Sequence, residues 1–505
     1  MTAPLPDWLE PLPDAERMRA TDAWAIEQQG VPSLDLMERA GAGLARLTAE
    51  LAPEGAVAVV CGKGNNGGDG LVAARLLRDD GRDVRVLLTG PAEDLQGDAA
   101  INLERLPGDP PEPFAADALE GAAAIVDALL GTGFAGEPRE PIKGAIEAIN
   151  ATDAVVVAAD VPSGVDASTG VVAGAAVRAR TTATFHAAKP GLWITPGKTH
   201  AGEVRVIEIG IPAGGPAAAD VGLIRPAALA LIPRREPGST KFSEGALLVV
   251  GGSAGLTGAP SLASEAAARA GAGYVITGVP RSLSLIFELR LLEVMTRALP
   301  DEDGSFAPSA VEPALHDAER ADAIVLGPGL GRTEGVRDFA RELARRVELP
   351  LLLDADGLNA HAGAPEALAQ RPGPTVLTPH AGELGRLLDL PSAQIDAERL
   401  RHVRHAADVT GAIVVLKGDD SLIADPAGRV AVSPGGAPAL ATAGTGDVLS
   451  GTIGALLAKG MAAFDAACAG VALHAEAGRR AAGVHGPDTV IASDVIAALA
   501  AARER

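Results

Sequence analysis

Short apolar runs alternate with amphipathic stretches through most of the chain. In the first half the apolar runs start at Val57, Val84, Ala123, Ala154 and Val204. Such runs, separated by stretches with helical spacing, are typical of strands that are buried on both faces of a parallel sheet. Residues 14–51 precede them and show the spacing of two amphipathic helices, divided at Val31-Pro32-Ser33. The first half is therefore predicted to be an α/β domain.

The same alternation begins again in the second half. Its apolar runs start at Gly245, Tyr274, Ala323, Leu349, Pro374 and Ala412. A long Ala-rich stretch after Gly446 is predicted to be helical, and residues 212–237, rich in Pro, Ala and Gly, are predicted to form a linker with one short helix. Because 505 residues exceed the size that one hydrophobic core sustains, the sequence predicts two α/β domains, residues 1–222 and 223–505.

Composition and charge narrow the classes of partner. Apolar residues make up 47% of the chain but aromatic residues only 2%, so the cores are expected to consist of Ala, Val, Leu and Ile. The net charge of −22 opposes attraction to nucleic acid and to anionic membranes. Cys61 and Cys468 lie in apolar runs of different halves, so no disulfide framework is expected. Without a signal or membrane-spanning pattern, we expect a cytoplasmic protein whose partners are small molecules.

The densest local motif of the first half is CGKGNNGGDGLVAARLL, residues 61–77, where an apolar run meets a glycine-rich turn and then a helical pattern. Glycines let the backbone approach a ligand closely, and the start of a helix offers free N–H groups to phosphate. The segment lacks the Lys-Ser or Lys-Thr ending of a P-loop, and a single glycine-rich loop is weak evidence for a ligand. A glycine-rich turn without a ligand is therefore an alternative interpretation of this segment alone.

Three further apolar runs of the first half end in polar residues, in DALLGTGFAG from Asp127, DVPSGVDASTG from Asp160 and TFHAAKPG from Thr184. Because strand ends of an open parallel sheet converge on one crevice, these segments are expected to meet. Together with LMERAG from Leu36, they resemble the NAD(P)H-hydrate epimerase domain over residues 14–212. The resemblance implies a Rossmann-like three-layer αβα sandwich.

The resemblance also implies a site for the hydrated dinucleotide and a potassium ion. The implied substrate contacts are Asn65, Asn66, Gly67, Gly68, Asp69, Gly131, Thr132, Gly133, Phe134, Ala135, Gly136, Glu137 and Asp160. The implied potassium ligands are Asn66, Asp127 and Ser163, whose oxygen donors suit a hard cation. Ordinary turn formation is the alternative explanation for Asp127 and Ser163 taken singly.

Epimerisation requires proton transfer at the hydroxyl-bearing carbon of the ring. Asp160 is the predicted acid/base group, because it ends a buried strand beside the expected nicotinamide. Lys189 and His186 are weaker candidates, and a packing role is favoured for His186.

The main motif of the second half is ALATAGTGDVLSGTIGALL, residues 439–457. A helix predicted to begin near Gly444 would present free amides to a transferring phosphoryl group, and Asp447 would take the proton of a hydroxyl group. The alternative is that Asp447 only stabilises the helix dipole.

This motif resembles the ribokinase-like superfamily. The motifs that begin at Lys241, Gly327, Asp354, Thr378 and Leu416 narrow the resemblance to the ADP-dependent NAD(P)H-hydrate dehydratase domain, over residues 225–500. It implies a ribokinase-like αβα fold, ADP as the phosphoryl donor and Mg²⁺ as a cofactor. The implied substrate contacts are Ala259, Gly331, His380 and Asp447, and the implied nucleotide contacts are Lys417, Gly418, Asp419, Asp420, Ser421 and Gly446. Asp356 and Asn359 are candidates to order magnesium or substrate, or to cap a helix.

Two departures from the family pattern stand out. Asp419 and Asp420 follow the Lys-Gly pair of the expected nucleotide loop and bring negative charge near a phosphate donor. Residues 438–440, Pro-Ala-Leu, replace the usual Gly-Met pattern. We therefore expect altered nucleotide affinity or magnesium dependence, while Gly446 and Asp447 are intact.

Two other functions are compatible with parts of the sequence. A vitamin-precursor or sugar kinase would share the Gly-Asp motif of the second half. The first half would then serve as a binding or dimerisation module. The other motifs and the pairing of the two domains favour epimerisation followed by dehydration of one hydrate. The family resemblance also implies a homo-oligomer, with the helical N-terminal segment as part of its interface.

Overall fold

The computed structural model describes residues 4–215 and 218–504. The chain divides into two compact units, Pro11–Gly222 and Leu223–Arg505, and the second includes Met1–Glu10. The sequence analysis started the first domain at residue 1, whereas the described residues 4–10 group with the second unit, and Trp8 is buried in the core of that unit. The Trp8 ring centroid lies 6.2 Å from that of Phe464, and the short strand β1 (Leu9–Pro11) follows directly.

The N-terminal unit contains a fully parallel sheet with the strand order β4-β3-β2-β5-β6-β7-β8. Its strands are β2 (Ala56–Cys61), β3 (Val84–Leu88), β4 (Glu112–Pro113), β5 (Ala122–Ala128), β6 (Val155–Ala159), β7 (Thr181–Phe185) and β8 (Glu203–Ile207). Its helices are α1 (Ala15–Glu27), α2 (Ser33–Leu51), α3 (Asn65–Asp79), α4 (Gly97–Glu104), α5 (Ile142–Asn150) and α6 (Lys198–Ala201).

Alternate residues of β2 show why this unit has three layers. Val57 and Val59 pack into the core that includes Leu44 of α2, whereas Ala58 and Val60 pack into a second core that includes Ile146 of α5. Side chains of a strand alternate between the two faces of the sheet, so an uninterrupted apolar run requires a helical layer on each face. The predicted αβα sandwich is confirmed.

The C-terminal unit contains the larger sheet, with the order β1-β9-β20-β19-β18-β17-β16-β15-β10-β11-β12. Its other strands are β9 (Val221–Ile224), β10 (Ala246–Val250), β11 (Tyr274–Pro280), β12 (Met295–Leu299), β15 (Ala323–Leu326), β16 (Leu351–Leu353), β17 (Thr375–Leu377), β18 (Ile413–Leu416), β19 (Leu422–Ala424) and β20 (Val430–Val432). The hairpin strands β13 (Asp301–Glu302) and β14 (Ser305–Phe306) form a separate small sheet.

Helices cover this sheet and surround its loops. They are α7 (Gly258–Ala270), α8 (Ser284–Arg290), α9 (Val311–Ala318), α10 (Glu334–Arg346), α11 (Asp356–Asn359), α12 (Glu366–Ala369), α13 (Ala381–Leu388), α14 (Ser392–Ala397), α15 (Arg399–Thr410), α16 (Thr445–Ala458), α17 (Ala463–His485) and α18 (Ala492–Arg503). The Ala-rich segment predicted as one helical stretch is thus three helices, α16 to α18, interrupted at Gly460 and Gly486, both of which have positive φ.

Two other parts of the C-terminal unit differ from the sequence prediction. The sheet is parallel from β12 to β18 but antiparallel from β18 to β20, because β19 and β20 return through short turns. The segment predicted as a linker contains β9 and a 3₁₀ turn over Pro226–Leu231, apart from residues 216 and 217, which lie outside the described residues. Among the described residues, no helix is both long and apolar enough to cross a membrane.

Candidate active sites

A cavity of about 910 Å³ opens in the N-terminal unit where β2, β5, β6 and β7 end. This volume is in the range of sites for small-molecule ligands. The predicted contacts that line it are Asn65, Asn66, Asp69, Gly131, Thr132, Gly133, Phe134 and Asp160. The structure thus brings together residues from three loops that are far apart in the sequence, as the convergence of parallel strand ends predicts.

Five predicted contacts do not line this cavity in the described part of the chain: Gly67, Gly68, Ala135, Gly136 and Glu137. Gly67 and Gly68 have a packing role instead. A Cβ atom on Gly67 would lie 1.9 Å from the carbonyl oxygen of Gly62, and one on Gly68 would lie 2.7 Å from the Met37 side chain. Glycine is therefore required here so that α3 can start against the end of β2.

The carboxylate of Asp160 is the most constrained group in the cavity. It lies 2.5 Å from the ammonium of Lys189 and accepts hydrogen bonds from the backbone N–H and the hydroxyl of Thr132, at 3.0 and 2.5 Å. Asp160 also has a φ of 66°, which is strained for a residue with a side chain. Burial raises the pKa of Asp160, but Lys189 and Thr132 outweigh burial, so the pKa lies below its usual value. Asp160 is therefore held as a carboxylate.

Lys189 is deeply buried, with a relative exposure of 1%, and its ammonium also donates to the Thr184 hydroxyl and the Phe185 carbonyl. Three acceptors satisfy all three of its donors. Lys189 is thus an internal counter-ion for Asp160 and lines the cavity beside it. His186, the other weak candidate, is outside the cavity lining of the described residues, and burial lowers its pKa.

The three predicted potassium ligands lie around the ends of β5 and β6. Asp127 is completely buried and accepts hydrogen bonds from the backbone N–H and the hydroxyl of Ser163, at 2.8 and 2.6 Å. Asn66 donates to the carbonyl of Leu130 at 3.0 Å, and the Ser163 hydroxyl accepts from the N–H of Leu130 at 2.9 Å. One loop therefore connects all three residues.

This donor set fits a cation. Burial raises the pKa of Asp127 to about 6, although hydrogen bonds from Ser163 and Leu129 oppose that shift. Asp127 forms no ion pair with another described residue, and a buried carboxylate without a positive partner is costly. The surrounding carboxylate, amide and hydroxyl oxygens are the kind of ligand that a hard cation prefers.

In the C-terminal unit, the ends of three parallel strands, β16, β17 and β18, bring three charged side chains together. The Lys417 ammonium, after β18, lies 2.9 Å from the Asp354 carboxylate, after β16, and 3.6 Å from that of Glu383 in α13. Asp354 also accepts hydrogen bonds from the hydroxyls of Thr378 and Ser450, at 2.9 and 2.7 Å. Asp354 thereby links the strand ends to helix α16.

Asp447 lies in the first turn of α16 and faces this charged group. Burial raises its pKa to about 7, with further increases from Asp354 and Glu383 and an opposing effect of Lys417. The shift places the titration of Asp447 near neutral pH, where a carboxylate is most useful as a general base. Gly446, the residue before Asp447 and a predicted nucleotide contact, is also close to the charged group. A Cβ atom on Gly446 would lie 3.6 Å from the Lys417 ammonium.

The start of α16 has the features of an anion site. The N-cap residue, Gly444, has a φ of 88°, and no side chain caps the helix. The hydroxyl of Thr445 instead donates to the carbonyls of Leu440 and Thr442, at 2.7 and 2.8 Å, which fixes the preceding turn. The Thr445 N–H donates to the carbonyl of Thr442, but within the described residues the N–H groups of Gly446 and Asp447 have no backbone acceptor and are available to a phosphoryl group at the positive end of the helix dipole.

Of the other predicted hydrate contacts, Gly331 and His380 lie in the loops after β15 and β17, and Ala259 lies in the first turn of α7. Gly331 has a φ of 85°, and its N–H donates to the Asp356 carboxylate at 3.0 Å. Ala259 is close to Gly329, which belongs to the loop of Gly331. A Cβ atom on Gly329 would lie 3.4 Å from the Cβ atom of Ala259. His380 caps α13, with its Nδ1 accepting from the N–H of Gly382 at 3.0 Å. The Nδ1 acceptor role requires a ring without a proton on that nitrogen.

In the described part of the chain, neither Asp356 nor Asn359 caps a helix with its side chain, since α11 starts after Ala355 without a side-chain cap. The two side chains are hydrogen-bonded to each other at 3.1 Å, Asp356 forms an ion pair with Arg332, and Asn359 accepts from Arg386 at 2.7 Å. Both groups thus hold three loops in place.

The departure at residues 419 and 420 is compensated inside the protein. Asp420 is buried, and both of its carboxylate oxygens lie 3.1 Å from the guanidinium of Arg399, which is itself buried. Asp419 accepts a hydrogen bond from the N–H of Gly436 at 2.8 Å. The expected excess of negative charge near the nucleotide is therefore largely cancelled, and Gly418 and Ser421 close the same loop by mutual hydrogen bonds. Residues 438–440 form a 3₁₀ turn.

Sequence reasoning did not assign roles to Asp22, Asp354, Glu383, Ser450 or Arg399. Asp354 and Glu383 belong to motifs that the sequence analysis had singled out, and their positions after β16 and β17 were a usable signal. Ser450, Arg399 and Asp22 lie within helices, where no local pattern distinguishes them from surface polar residues.

The folds and sites define a two-domain α/β enzyme, with a Rossmann-like N-terminal domain and a ribokinase-like C-terminal domain. Residues 247–500 match the family model described as NAD(P)H-hydrate dehydratase, and residues 33–191 match that described as YjeF-related protein N-terminus. The bifunctional NAD(P)H-hydrate repair enzyme of Salinibacter ruber is 42% identical over 96% of this chain and 95% of the relative. That of Moorella thermoacetica is 39% identical over 95% and 94%. The chain belongs to the family of bifunctional NAD(P)H-hydrate repair enzymes.

Solved structures resemble the C-terminal part of the chain. An ADP/ATP-dependent NAD(P)H-hydrate dehydratase from Bacillus subtilis is 28% identical, covers 55% of this chain and 94% of its own, and has a TM-score of 0.47. A ribokinase-like superfamily protein from Enterococcus faecalis is 24% identical, covers 58% and 98%, and has a TM-score of 0.49.

Proposed function

We propose that the chain repairs hydrated NADH and NADPH. The N-terminal domain interconverts the R and S hydrates, and the C-terminal domain dehydrates the S hydrate with ADP, releasing AMP and phosphate. The observation that carries this proposal is that one chain combines the Asp160–Lys189 cavity with an uncapped helix start next to Asp447. Membership of the repair-enzyme family supports it.

The C-terminal site suits phosphorylation of a hydroxyl group. The hydroxyl oxygen of the hydrate attacks the terminal phosphoryl group of ADP, and Asp447 takes the proton of that hydroxyl group. The N–H groups at the start of α16 and the Lys417 ammonium stabilise the negative charge of the transferring group. Phosphate then leaves with the electrons of the C–O bond, and the neighbouring ring carbon loses a proton to solvent, which restores the ring double bond. Phosphate is a far better leaving group than hydroxide.

Magnesium is proposed to enter this site with the nucleotide. Among the described residues, no group of three or more His, Cys, Asp or Glu side chains is arranged to hold a metal ion. Mg²⁺ in such sites is usually bound through substrate phosphates, waters and one or two carboxylates, and it neutralises phosphate charge. Glu383 is the proposed carboxylate ligand, because Asp447 is the proposed base and Asp354 is already engaged by Lys417, Thr378 and Ser450.

The N-terminal site suits exchange of the hydroxyl group between the two faces of the ring. The lone pair of the ring nitrogen expels hydroxide from the neighbouring carbon, and hydroxide adds again to the opposite face of that carbon, so the site must handle one proton in each direction. Asp160, kept as a carboxylate by Lys189, is the proposed base. Fusion of the two activities is useful because a stereoselective dehydratase consumes only one epimer.

The function is tested with a mixed-epimer preparation of NADH hydrate, purified protein, magnesium, potassium and either ADP or ATP. We expect complete recovery of reduced-nicotinamide absorbance with ADP. Recovery of half the material would contradict the epimerase assignment. A stable phosphorylated product without recovery of absorbance would favour a small-molecule kinase. Light scattering of the same preparation tests the expected homo-oligomer.

Potassium is expected to bind at Asn66, Asp127 and Ser163 and to accelerate epimerisation, because it offsets the buried charge of Asp127. Replacing potassium by lithium at equal ionic strength should lower the epimerase rate and the unfolding temperature of the N-terminal domain, since a bound ligand stabilises the folded state. Dehydration of the purified S hydrate is the internal control. Equal unfolding temperatures in the two salts would contradict a potassium site.

A further inference from the structure

Two carboxyl groups of the N-terminal cavity have no part in the reaction described above. The first is Asp22 in α1. Met18, Asp22 and Ile26 follow each other at four-residue intervals, so they share one face of the helix, and all three line the cavity. Asp22 is therefore placed between two apolar side chains on the cavity wall.

The second group is Asp69, near the start of α3. It lines the same cavity and is buried, with a relative exposure of 8%. Within residues 4–215 and 218–504, its carboxyl group forms no hydrogen bond or ion pair with another side chain. A buried carboxylate without a partner is strongly disfavoured, so Asp69 is stable mainly as a neutral acid.

The charges around the cavity favour a proton on Asp69. Lys189 is matched by Asp160, which leaves Asp22 and Asp69 as further negative groups near that pair. Burial raises the pKa of Asp69 well above its usual value, and Asp160 and Asp22 raise it further. Burial also raises the pKa of Asp22 to about 6, with Lys189 opposing and Asp160 assisting the shift. The other charged residues that line the cavity are Arg19, Lys63, Asp94 and Asp98.

We propose that Asp69 is the acid of the epimerase reaction, with the Asp160 carboxylate as the base and Asp22 as a further carboxyl group of the cavity that keeps Asp69 protonated. This inference rests on the proposed function of the N-terminal domain. The C–O bond of the hydrate breaks with both electrons on oxygen, which takes the proton of the acid and becomes water. The lone pair of the ring nitrogen forms a C=N bond.

Water then adds to the opposite face of the ring. The C–O bond forms again, the electrons of the C=N bond return to nitrogen, and Asp160 accepts the proton of the water. Transfer of that proton back to Asp69, directly or through solvent, restores the site. No atom or electron is consumed, as an epimerisation requires.

The test measures epimerisation of purified S hydrate by wild type, Asp69→Asn, Asp22→Asn and Glu27→Gln across a range of pH. Asp69→Asn should lower kcat by about 100-fold or more, as expected for loss of a general acid, with KM little changed. Asp22→Asn should move the fall in rate at alkaline pH to lower pH, because it removes a negative charge that raises the pKa of Asp69. Glu27→Gln, exposed at the end of the same helix, should behave as wild type.

The outcomes separate this inference from the proposed function. Absence of epimerisation by the wild type would defeat the proposed function itself. If the wild type is active, an unchanged pH profile in Asp22→Asn or an effect of Asp69→Asn on KM alone would overturn only the inference. Dehydration of the S hydrate by the same preparations, together with circular dichroism, shows that each variant is folded.

Discussion

Asp447→Asn is expected to reduce dehydration of the S hydrate by about 100- to 10,000-fold, the usual range for loss of a positioned general base. The amide keeps the shape of the side chain and its place in the first turn of α16, but it cannot accept the hydroxyl proton. In the wild type, the carboxylate form is the active base. Because the pKa of Asp447 is raised to about 7, the rate should increase as pH rises through that value. Steady-state rates of absorbance recovery measure both effects.

Two controls make this prediction specific. Asp465→Asn changes an acid in the first turn of another helix, α17, away from the charged group at Lys417, and should leave dehydration unchanged. Epimerisation by the N-terminal domain of Asp447→Asn should also persist. Dehydration at the wild-type rate in Asp447→Asn would remove this residue as the base.

Lys189→Met is expected to lower the free energy of unfolding of the N-terminal domain by about 3–5 kcal/mol, the usual cost of breaking a buried ion pair on one side. The substitution preserves the volume of the side chain but leaves the Asp160 carboxylate buried without its counter-ion. Urea denaturation followed by tryptophan fluorescence measures the loss, since Trp24 and Trp193 lie in the N-terminal unit.

The double variant Asp160→Asn, Lys189→Met separates charge from packing. Removing both charges should recover much of the lost stability, whereas a packing defect would persist. In the wild type, the stability that the Asp160–Lys189 ion pair contributes should also depend on pH. The pKa of Asp160 lies below its unfolded value, so the pair contributes stability above the unfolded pKa, and this contribution is lost as pH falls through the folded pKa. Equal stability of Lys189→Met and wild type would contradict the role of Lys189 as counter-ion.

Most of the architecture could be predicted from local sequence. Nearly every predicted apolar run is a strand, from β2 to β18, because a segment buried on both faces requires continuous apolar residues. The predictions failed where long-range packing decides. Trp8 joins the C-terminal core, and β9, β19 and β20 are short strands whose few residues resemble loops until a sheet edge is available to pair with.

The motifs predicted the locations of both sites, because glycines and polar residues at strand ends are a local signal. They did not predict how the charges are arranged. The sequence suggested an excess of negative charge at residues 419 and 420, but Arg399, about twenty positions earlier, neutralises Asp420. Likewise, the acid/base role given to Asp160 alone overlooked that Lys189 holds it as a carboxylate.

The sequence by itself determined the two α/β domains, the strand ends that carry the sites, and the resemblance to a hydrate-repair enzyme. These properties depend on hydrophobic periodicity and on short motifs, both of which are local. Only the tertiary structure decided the protonation of the carboxyl groups, the pairing of Asp354 with Lys417 and the presence of Asp22 in the cavity. The reason is physical: a pKa and an ion pair depend on burial and on distances between side chains, and folding sets both between residues that are far apart in the chain.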